Sequence, residues 1–571
     1  MMKKSTIVAI FLAFTINVFP QPSIQFDAPL DIPLILSGNF GELRSNHFHS
    51  GIDIKTNSVT GHVVRSISSG HVSRIKIRPG GYGKAIYIDH ENGYTSVYGH
   101  LNNFTGEIDK YIKDLQYRLE THAFDKYLQK DVLPISRGQH IGYSGNTGSS
   151  SGPHLHFEIR KTQYQIPTNC LFYNFPIEDT IAPDFKTLVL YPGDENAQID
   201  KTSKKKILVP ERVNNRYTLK TDSPISVHGK IGFGIEIYDY LNKAPNWCGI
   251  YTIEVLVDDE LIYLSEMNEF SFSESRFINA HIDYPLKFET GKTVQRLCKQ
   301  PYNELSIYKS LKNDGWIEID DTLKHNILIR SRDTYNNTST LSFEIKGTGK
   351  VNNMNTINSK PNLVIPYNAP SKFSDRNISI NFPKYAFYDN VPFTYSRTNG
   401  MDGLLSDIFH VHKASTPVHR PYKMTLSADS LPKRFSEKLC IVSISEEGDF
   451  AYAGGKFENN SITTEVREFG KYGIALDTIP PEITPLNFFK GKNIGSESGI
   501  RFIITDELSG IQSYNGYING HWVLFEYDPK NDLLFYEFDD RLSKSGKKYE
   551  LEIVLTDNRG NKSSYLSNFY L

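Results

Sequence analysis

The chain has 571 residues, with 63 Lys and Arg against 65 Asp and Glu, which gives a formal net charge of −2. This balance argues against a nucleic-acid binder, because such proteins normally carry a basic excess. The four cysteines include no CxxC pair, which excludes a disulfide-rich scaffold and cysteine-based zinc fingers. No internal stretch approaches the roughly 20 apolar residues of a membrane-spanning helix.

The first 20 residues have the order of a secretory signal peptide. Two lysines precede an apolar run from Ile7 to about Phe19, which is too short to span a membrane. We therefore expect export, with the periplasm and the extracellular space both open, and we rank a buried N-terminal helix lower. Because an exported protein can form disulfides, a Cys248–Cys298 pair is left open.

Histidine usage divides the chain at about residue 178. Ten of the 17 histidines lie between His47 and His156. Residues 24–178 are therefore assigned to one domain, which is Gly-rich and has short β-like runs. Beyond it, apolar segments of period two alternate with Asn, Asp, Gly and Pro, a pattern typical of β-sandwich modules.

An internal repeat subdivides this second part. Asp179-Thr-Ile-Ala-Pro183 matches Asp477-Thr-Ile-Pro-Pro481, and each copy later places an aspartate, Asp239 or Asp506, after an apolar strand. Both copies end in a strand, an Asp-x-x-x-Asn turn and a returning strand, as expected from the turn chemistry of Asp and Asn.

The repeat predicts the remaining domains. Two copies of an Ig-like β-sandwich are expected at 179–347 and 478–571, the first with an insertion near 266–322. Residues 348–477 are expected to form a β-rich module of unclear type. The polar segment 351–362 is interpreted as a flexible linker.

One helix is expected to interrupt the first domain, within an insert at about 105–133. Five apolar residues follow helical spacing there: Ile108, Tyr111, Ile112, Leu115 and Leu119. A second short helical piece is predicted through Phe124, Tyr127 and Leu128. The insert is expected to pack against the β core.

Four short motifs carry the candidate chemistry. They are His47-Phe-His49-Ser-Gly-Ile-Asp53, Tyr98-Gly-His100-Leu, Gly142-Tyr-Ser-Gly-Asn-Thr-Gly148 and Ser151-Gly-Pro-His154-Leu-His156-Phe-Glu158. On a strand, His154 and His156 share one face, while Leu155 and Phe157 point into packing. His49, Asp53 and a histidine of the HxH pair supply two imidazoles and one carboxylate. That set suits Zn²⁺ with a fourth position for water.

A lone HxH pair is weak support for a metal site. His410 and His412 form a second such pair with no carboxylate-bearing partner motif, and we interpret them as part of an ordinary strand or loop. What distinguishes the first domain is that HxxxD, GHL and HLHFE occur in order within a short region.

Residues 34–160 resemble the lysostaphin-type (LytM-like) zinc metallopeptidases, which cut peptides in bacterial cell walls. The resemblance rests on GELRSNHFHSGIDIKT, GHVVRSISSGHVSRI, GGYGKAIYIDHENGYTSVYGHL and RGQHIGYSGNTGSSSGPHLHFEIR. It implies an N-terminal antiparallel β-sheet peptidase domain in a mostly β protein. It also implies His49, Asp53 and His156 as ligands of one Zn²⁺, with His154 and His100 as catalytic histidines. The insert departs from the family pattern and, lying right after His100, is expected to flank or cover the groove. The resemblance does not extend to residues 179–571.

The favoured function is an exported zinc endopeptidase that hydrolyses the peptide cross-links of peptidoglycan. An imidazole suits the transfer of the water proton, and His154 is preferred as the base, with His100 binding the oxyanion or sharing the proton. Two alternatives stay open. One is a peptidoglycan-binding or activator protein that uses the peptidase fold for recognition. The other is a surface-assembly protein that binds cell-surface protein partners through its β modules.

Overall fold

The computed structural model describes residues 25–220, 223–349, 363–487, 489–539, 541–542 and 548–571. The expected signal peptide and the whole 351–362 linker lie outside these ranges. The described part is built mainly from strands, as the sequence pattern predicted, with a peptidase-like β domain first and several β-sheet modules after it. None of its helices has the length and apolar character needed to cross a membrane.

The first domain contains strands β1–β14 and helix α1. The strands are, in order, Leu36–Gly38, Leu43–Arg44, His47–Phe48, Ile52–Lys55, Val63–Arg65, Gly70–Ile77, Lys84–His90, Tyr94–Leu101, Asn103–Phe104, Phe124–Tyr127, Pro134–Ile135, His140–Tyr143, His154–Lys161 and Ile166–Thr168. Helix α1 covers Gly106–Leu119, between β9 and β10.

Most of these strands form one antiparallel sheet in the order β1-β4-β13-β8-β7-β6-β10. Strand β13 lies between β4 and β8, and its residues alternate between two environments. Leu155, Phe157 and Ile159 are fully buried in the hydrophobic core of the domain. The intervening residues, His154 and His156 among them, therefore face the other side of the sheet, as the sequence predicted.

The helical insert differs from the prediction in two respects. Ile108, Ile112 and Leu115 are buried, but Leu119 is 53% exposed, so the apolar stripe ends one turn early. The predicted second helical piece is wrong, because Phe124–Tyr127 forms strand β10 and pairs with β6 over four residues. The pairing gives hydrogen-bond partners to the backbone N–H and C=O groups on this side of β6. A helix at 124–127 would leave those groups of β6 to solvent.

The outer face of α1 packs against the last β module. The Tyr117 hydroxyl donates to Asp539 at 2.8 Å, and its ring meets Trp522 edge-on at 5.3 Å between centroids. Asp114 forms an ion pair with Arg541 at 2.5 Å. The helix contributes no residue to the cleft described below. The expectation that the insert covers the groove is therefore wrong, because its polar face has partners in the last module.

The following module contains strands β15–β28 and helices α2 and α3. The strands are Asp184–Pro192, Gln198–Ile199, Lys206–Leu208, Glu211–Val213, Arg216–Thr218, Ile225–Tyr240, Trp247–Cys248, Thr252–Val257, Glu260–Glu266, Gln295–Arg296, Tyr308–Leu311, Ile317–Ile319, Lys324–Arg332 and Thr338–Gly347. Helices α2 (Ile278–His281) and α3 (Tyr284–Thr290) lie within the predicted insertion.

The remaining strands fall into two groups. Strands β29–β40 are Val364–Ile365, Ser371–Asp375, Ile378–Phe382, Val391–Pro392, Tyr395–Thr398, Ile408–Val411, Tyr422–Ser427, Leu439–Ile444, Phe450–Tyr452, Lys456–Glu458, Ser461–Val466 and Gly470–Leu476. Strands β41–β49 are Glu482–Pro485, Lys492–Asn493, Gly499–Thr505, Ile511–Ile518, His521–Val523, Glu526–Asp528, Leu533–Glu537, Lys548–Asp557 and Lys562–Tyr570. Each group has its own hydrophobic core. The Ig-like assignment of 179–347 and 478–571 and the exact domain limits stay predictions.

The hydrophobic core of the first domain extends beyond residue 178. Leu241 and Cys248, from the next module, are buried within it. Cys298 belongs to a separate cluster, and all four cysteines are free and buried. The Cys248–Cys298 disulfide that the sequence left open is therefore not formed.

Candidate active site

Three adjacent strands bring the histidine motifs together. In the sheet register His156 on β13 stands opposite Asp53 on β4 and opposite Gly99 on β8, next to His100. His49 reaches the same place from the turn before β4. Gly51 allows this turn to approach β13, since a Cβ there would lie 2.2 Å from the carbonyl oxygen of Phe157.

The three predicted ligands converge on one point. The His49 Nε2 atom lies 3.1 Å from Asp53 Oδ1 and 3.1 Å from His156 Nδ1, and the third distance, from His156 Nδ1 to Asp53 Oδ1, is 2.9 Å. Donors around a tetrahedral Zn²⁺ at about 2.0–2.1 Å are separated by roughly 3.3 Å. The three residues therefore have the chemistry and the spacing to hold one zinc ion and leave a fourth position open.

The other ring nitrogens of the two ligand histidines are bonded outward. His49 Nδ1 lies 2.7 Å from the carbonyl oxygen of Asn39, and His156 Nε2 lies 2.8 Å from Glu158 Oε1. Both partners are acceptors, so each outward nitrogen carries the proton. The inward nitrogens are therefore the ones that can bind a metal, once any proton on them has been released.

Asp53 is held in position by a buried arginine contact. Arg44 donates to Asp53 Oδ2 at 2.6 Å, which leaves Oδ1 to face the two histidines. Burial raises the pKa of Asp53, but His49, His154 and His156 outweigh it and hold the pKa well below its usual range. The carboxylate is therefore ionised and can serve as a single-oxygen ligand.

The pKa values of His49 and His156 are shifted in opposite directions. Burial lowers the pKa of His49, with Asp53 opposing it. Burial also acts to lower the pKa of His156, but bonds to Asp53 and Glu158 outweigh it and raise the pKa to about 9. Positive charge is thus favoured at His156 Nδ1, where a metal ion would take the place of the proton.

The motif HLHFE contained one functional residue whose role the sequence analysis did not assign. Glu158 is fully buried, and besides His156 it accepts hydrogen bonds from the hydroxyls of Ser50 and Tyr82 and from Arg160. Tyr82 also stacks on the His156 ring at 4.8 Å. The signal was available, because Glu158 and Arg160 continue the same alternating face as His154 and His156.

The two candidate catalytic histidines lie side by side at the site, with ring centroids 4.8 Å apart. His154 Nδ1 lies 2.8 Å from the Gly152 carbonyl oxygen, and His100 Nδ1 lies 2.8 Å from the Thr147 carbonyl oxygen. Since carbonyls only accept, both Nδ1 atoms carry a proton. The Nε2 atom of His154 lies 3.4 Å from Asp53 Oδ1. Burial, with His156 and His154 nearby, lowers the pKa of His100 to about 3.

His100 also has a left-handed backbone, with φ of 57°. The register between β7 and β8 shifts at this point, which marks a β-bulge. A non-glycine residue in this conformation is uncommon, and such strain concentrates at functional sites. The bulge directs His100 toward His154 and away from the regular alternation of β8.

The site opens into a cleft of about 730 Å³. Asp53, His100 and His154 line it, together with residues 149–153, and Lys243 of the next module lines it too. The second HxH pair lies elsewhere: His410 is on β34 near Thr398, and His412 contacts Thr394 and Thr416. Neither belongs to a potential metal cluster among the described residues.

The sequence was compared with known families and proteins. Residues 47–116 and 122–168 match peptidase family M23, and residues 362–477 match the Zu5-like domain. The first match covers all five predicted site residues. The chain contains an M23 peptidase domain.

Curated relatives match only part of the chain. The DD-carboxypeptidase/endopeptidase Mpg of Neisseria meningitidis is 32% identical over 118 residues, which is 21% of either chain. The peptidoglycan DD-endopeptidase ShyA of Vibrio cholerae is 32% identical over 99 residues, which is 17% of either chain. The chain therefore spans only about a fifth of the length of the curated relatives it matches.

A solved structure also matches part of the chain. The catalytic domain of the antimicrobial peptidase lysostaphin from Staphylococcus simulans is 24% identical, covering 22% of this chain and 80% of that one, with a TM-score of 0.17. M23 peptidases are zinc metallopeptidases, and three residues of this domain could hold a metal.

The contact between Glu158 and His156 can be tested by mutation. We expect Glu158→Gln to weaken zinc affinity about 10- to 100-fold, the usual effect of removing a carboxylate that orients a ligand histidine. Competition with a fluorescent zinc chelator measures the change. Tyr82→Phe is the matched control, since it removes one hydroxyl bonded to Glu158 but keeps the ring on His156. Equal affinities for Glu158→Gln and wild type would contradict a supporting role.

Proposed function

We propose that the protein is an exported zinc endopeptidase that hydrolyses peptide cross-links of peptidoglycan. The observation that carries the proposal is the triangle of inward-facing donors on His49, Asp53 and His156, each about 3 Å from the others. The M23 membership of the domain and the names of its endopeptidase relatives support the reaction class.

The protein's own groups can be assigned roles from their hydrogen bonds. A bound Zn²⁺ would polarise the scissile carbonyl and lower the pKa of the attacking water. His154, whose Nε2 faces the site 3.4 Å from Asp53 Oδ1, takes the proton as the water oxygen bonds to the carbonyl carbon. The same Nε2–H then returns the proton to the leaving amine as the C–N bond breaks. The Gly152 carbonyl stabilises the transient imidazolium by accepting from Nδ1.

His100 is assigned a different role from the one favoured by sequence. Its Nδ1 proton is committed to Thr147, so its Nε2 can accept but not donate a hydrogen bond. Its low pKa keeps it neutral at physiological pH. We therefore assign His100 to accept a hydrogen bond from the attacking water and orient it, instead of donating to the oxyanion.

Zinc analysis combined with digestion of purified peptidoglycan sacculi tests the proposal. We expect one zinc per chain and the release of soluble peptides, with neither result in His156→Ala. Sacculi that bind the protein without releasing peptides would instead support the recognition alternative. Cleavage of a soluble cross-linked peptide, measured in the absence of sacculi, would distinguish peptidase activity from binding to the sacculus surface.

A further inference from the structure

The two repeated modules each contain a buried cluster of three aspartates. In the first, Asp179 precedes the module, Asp239 is the second-last residue of strand β20 and Asp333 follows β27. Oxygens of the three carboxylates lie within 4.8 Å of one another. These segments are far apart in the sequence, so the fold places the three acids together.

The same arrangement recurs in the last module. Asp477 precedes it, Asp506 follows β43 and Asp557 ends β48, and their carboxylate oxygens also lie within 4.8 Å of one another. Asp477 and Asp506 are the repeat equivalents of Asp179 and Asp239. Asp557 is equivalent to Asp333 in the Asp-x-x-x-Asn turn.

The hydrogen bonds around the third aspartate match between the copies. Asn337 Nδ2 donates to Asp333 Oδ2 at 2.7 Å and to the Asp179 carbonyl at 3.2 Å. Asn561 Nδ2 donates to Asp557 Oδ2 at 2.7 Å and to the Asp477 carbonyl at 3.1 Å. The asparagine therefore fixes two acids of each cluster in the same relative position.

Each cluster leaves buried carboxylate oxygens without a partner. Asp239 is 3% exposed, and its Oδ1 atom has no hydrogen-bond partner in the described structure. The same is true of Oδ2 of Asp179, which is 8% exposed, and of Asp477, which is 2% exposed. The Asp506 Oδ2 atom is also unpartnered. No Lys or Arg among the described residues forms an ion pair with the six carboxylates.

Three acids in one buried place are costly unless positive charge is supplied. Burial, together with the charges of Asp179 and Asp333, raises the pKa of Asp239 to about 9. The amides of Asn337 and Asn561 donate hydrogen bonds to the clusters, but they are neutral and cannot balance the negative charge of the carboxylates. A bound cation would satisfy the unpartnered oxygens and the charge at once.

We propose that each aspartate cluster binds one Ca²⁺ ion. The donors are all carboxylate oxygens, which favours a hard cation over zinc or copper. Ca²⁺ takes oxygen ligands at about 2.3–2.6 Å, so its ligands can span the observed 4.8 Å. Mg²⁺ binds at about 2.0–2.1 Å, keeps several waters and rarely uses a cage made only of protein groups.

The position of the clusters gives the ions a structural role. Asp179 lies where the chain leaves the M23 domain, and Asp477 lies where it leaves the Zu5-like region. The other two ligands of each cluster belong to the module that follows. Each Ca²⁺ therefore fastens a module to the segment that enters it and stiffens the junction. This inference does not depend on peptidase activity.

Calorimetric titration of the chelator-treated, zinc-reloaded full chain with CaCl₂ tests the proposal. We expect two Ca²⁺ per chain for the wild type, one for Asp239→Asn, one for Asp506→Asn and none for the double variant. Asp283→Asn is the matched control, since Asp283 is equally buried but is paired with Lys205 at 2.9 Å. It should retain both ions.

A second measurement needs no variant. Hydrogen exchange of the wild type should slow on addition of Ca²⁺ at residues 179–183 and 477–481, and MgCl₂ at the same concentration should have little effect. Absence of Ca²⁺ binding, an unchanged count in the double variant, or equal protection by Mg²⁺ would overturn the assignment. Zinc content, measured in the same samples, keeps this outcome separate from that of the M23 site.

Discussion

Replacement of His49, Asp53 or His156 by alanine is expected to remove bound zinc and to abolish peptide release. Each residue supplies one of three inward donors, and no further histidine or carboxylate completes this group among the described residues. Losing one ligand of an open three-residue site leaves too few protein ligands to retain the ion during purification. Elemental analysis of purified protein and peptide release from sacculi measure the two losses.

His410→Ala and His412→Ala are the controls for this experiment. They remove histidines from an HxH pair whose ring nitrogens lie near threonines and whose His412 ring packs on Phe393 and Phe469, away from the M23 site. Both should retain zinc and activity. Near-stoichiometric zinc in any of the three ligand variants would contradict the assignment of the site.

His154→Ala is expected to keep its zinc but to lose turnover by about 10²- to 10⁴-fold, the usual contribution of a general base. The His154 ring faces the site through Nε2, which lies 3.4 Å from Asp53 Oδ1, but it is not one of the three converging donors. Turnover of a soluble cross-linked peptide, together with zinc content, separates the two effects. The loss should appear in kcat more than in KM, because proton transfer belongs to the chemical step.

His71→Ala provides a comparison within the same domain, since His71 lies on β6 away from the site. Its zinc content and kcat should equal those of the wild type. If His154→Ala were instead purified without zinc, His154 would be a ligand and the division of roles on β13 would be wrong.

Local patterns predicted the arrangement of β13, because they act over a few residues. Alternation on β13 predicted that His154 and His156 share a face and that Leu155 and Phe157 are buried, and the structure agrees. The order of HxxxD, GHL and HLHFE identified the M23 domain. These signals depend on strand geometry, which the sequence specifies locally.

The surroundings of the site could not be predicted in this way. The stripe on α1 indicated a buried face, but no local signal showed that Tyr117 binds Asp539 in the last module. The same limit applies to Arg44, whose contact with Asp53 depends on the path of the β2–β3 hairpin. Such contacts depend on how distant segments pack, and periodicity contains no information about them.

The reciprocal amide bonds of Asn39 and Gly249 join the M23 domain to the module that follows it, and this limits where recombination could separate the two. Asn39 Nδ2 donates to the Gly249 carbonyl at 2.9 Å, and Gly249 N donates to Asn39 Oδ1 at 2.7 Å. Asn39 in turn accepts from the ligand His49, and Leu241 and Cys248 lie in the peptidase core. Recombination at residue 178 would transfer a catalytic domain without these supports. A recombined protein that keeps these contacts would therefore need the first β module together with the M23 domain.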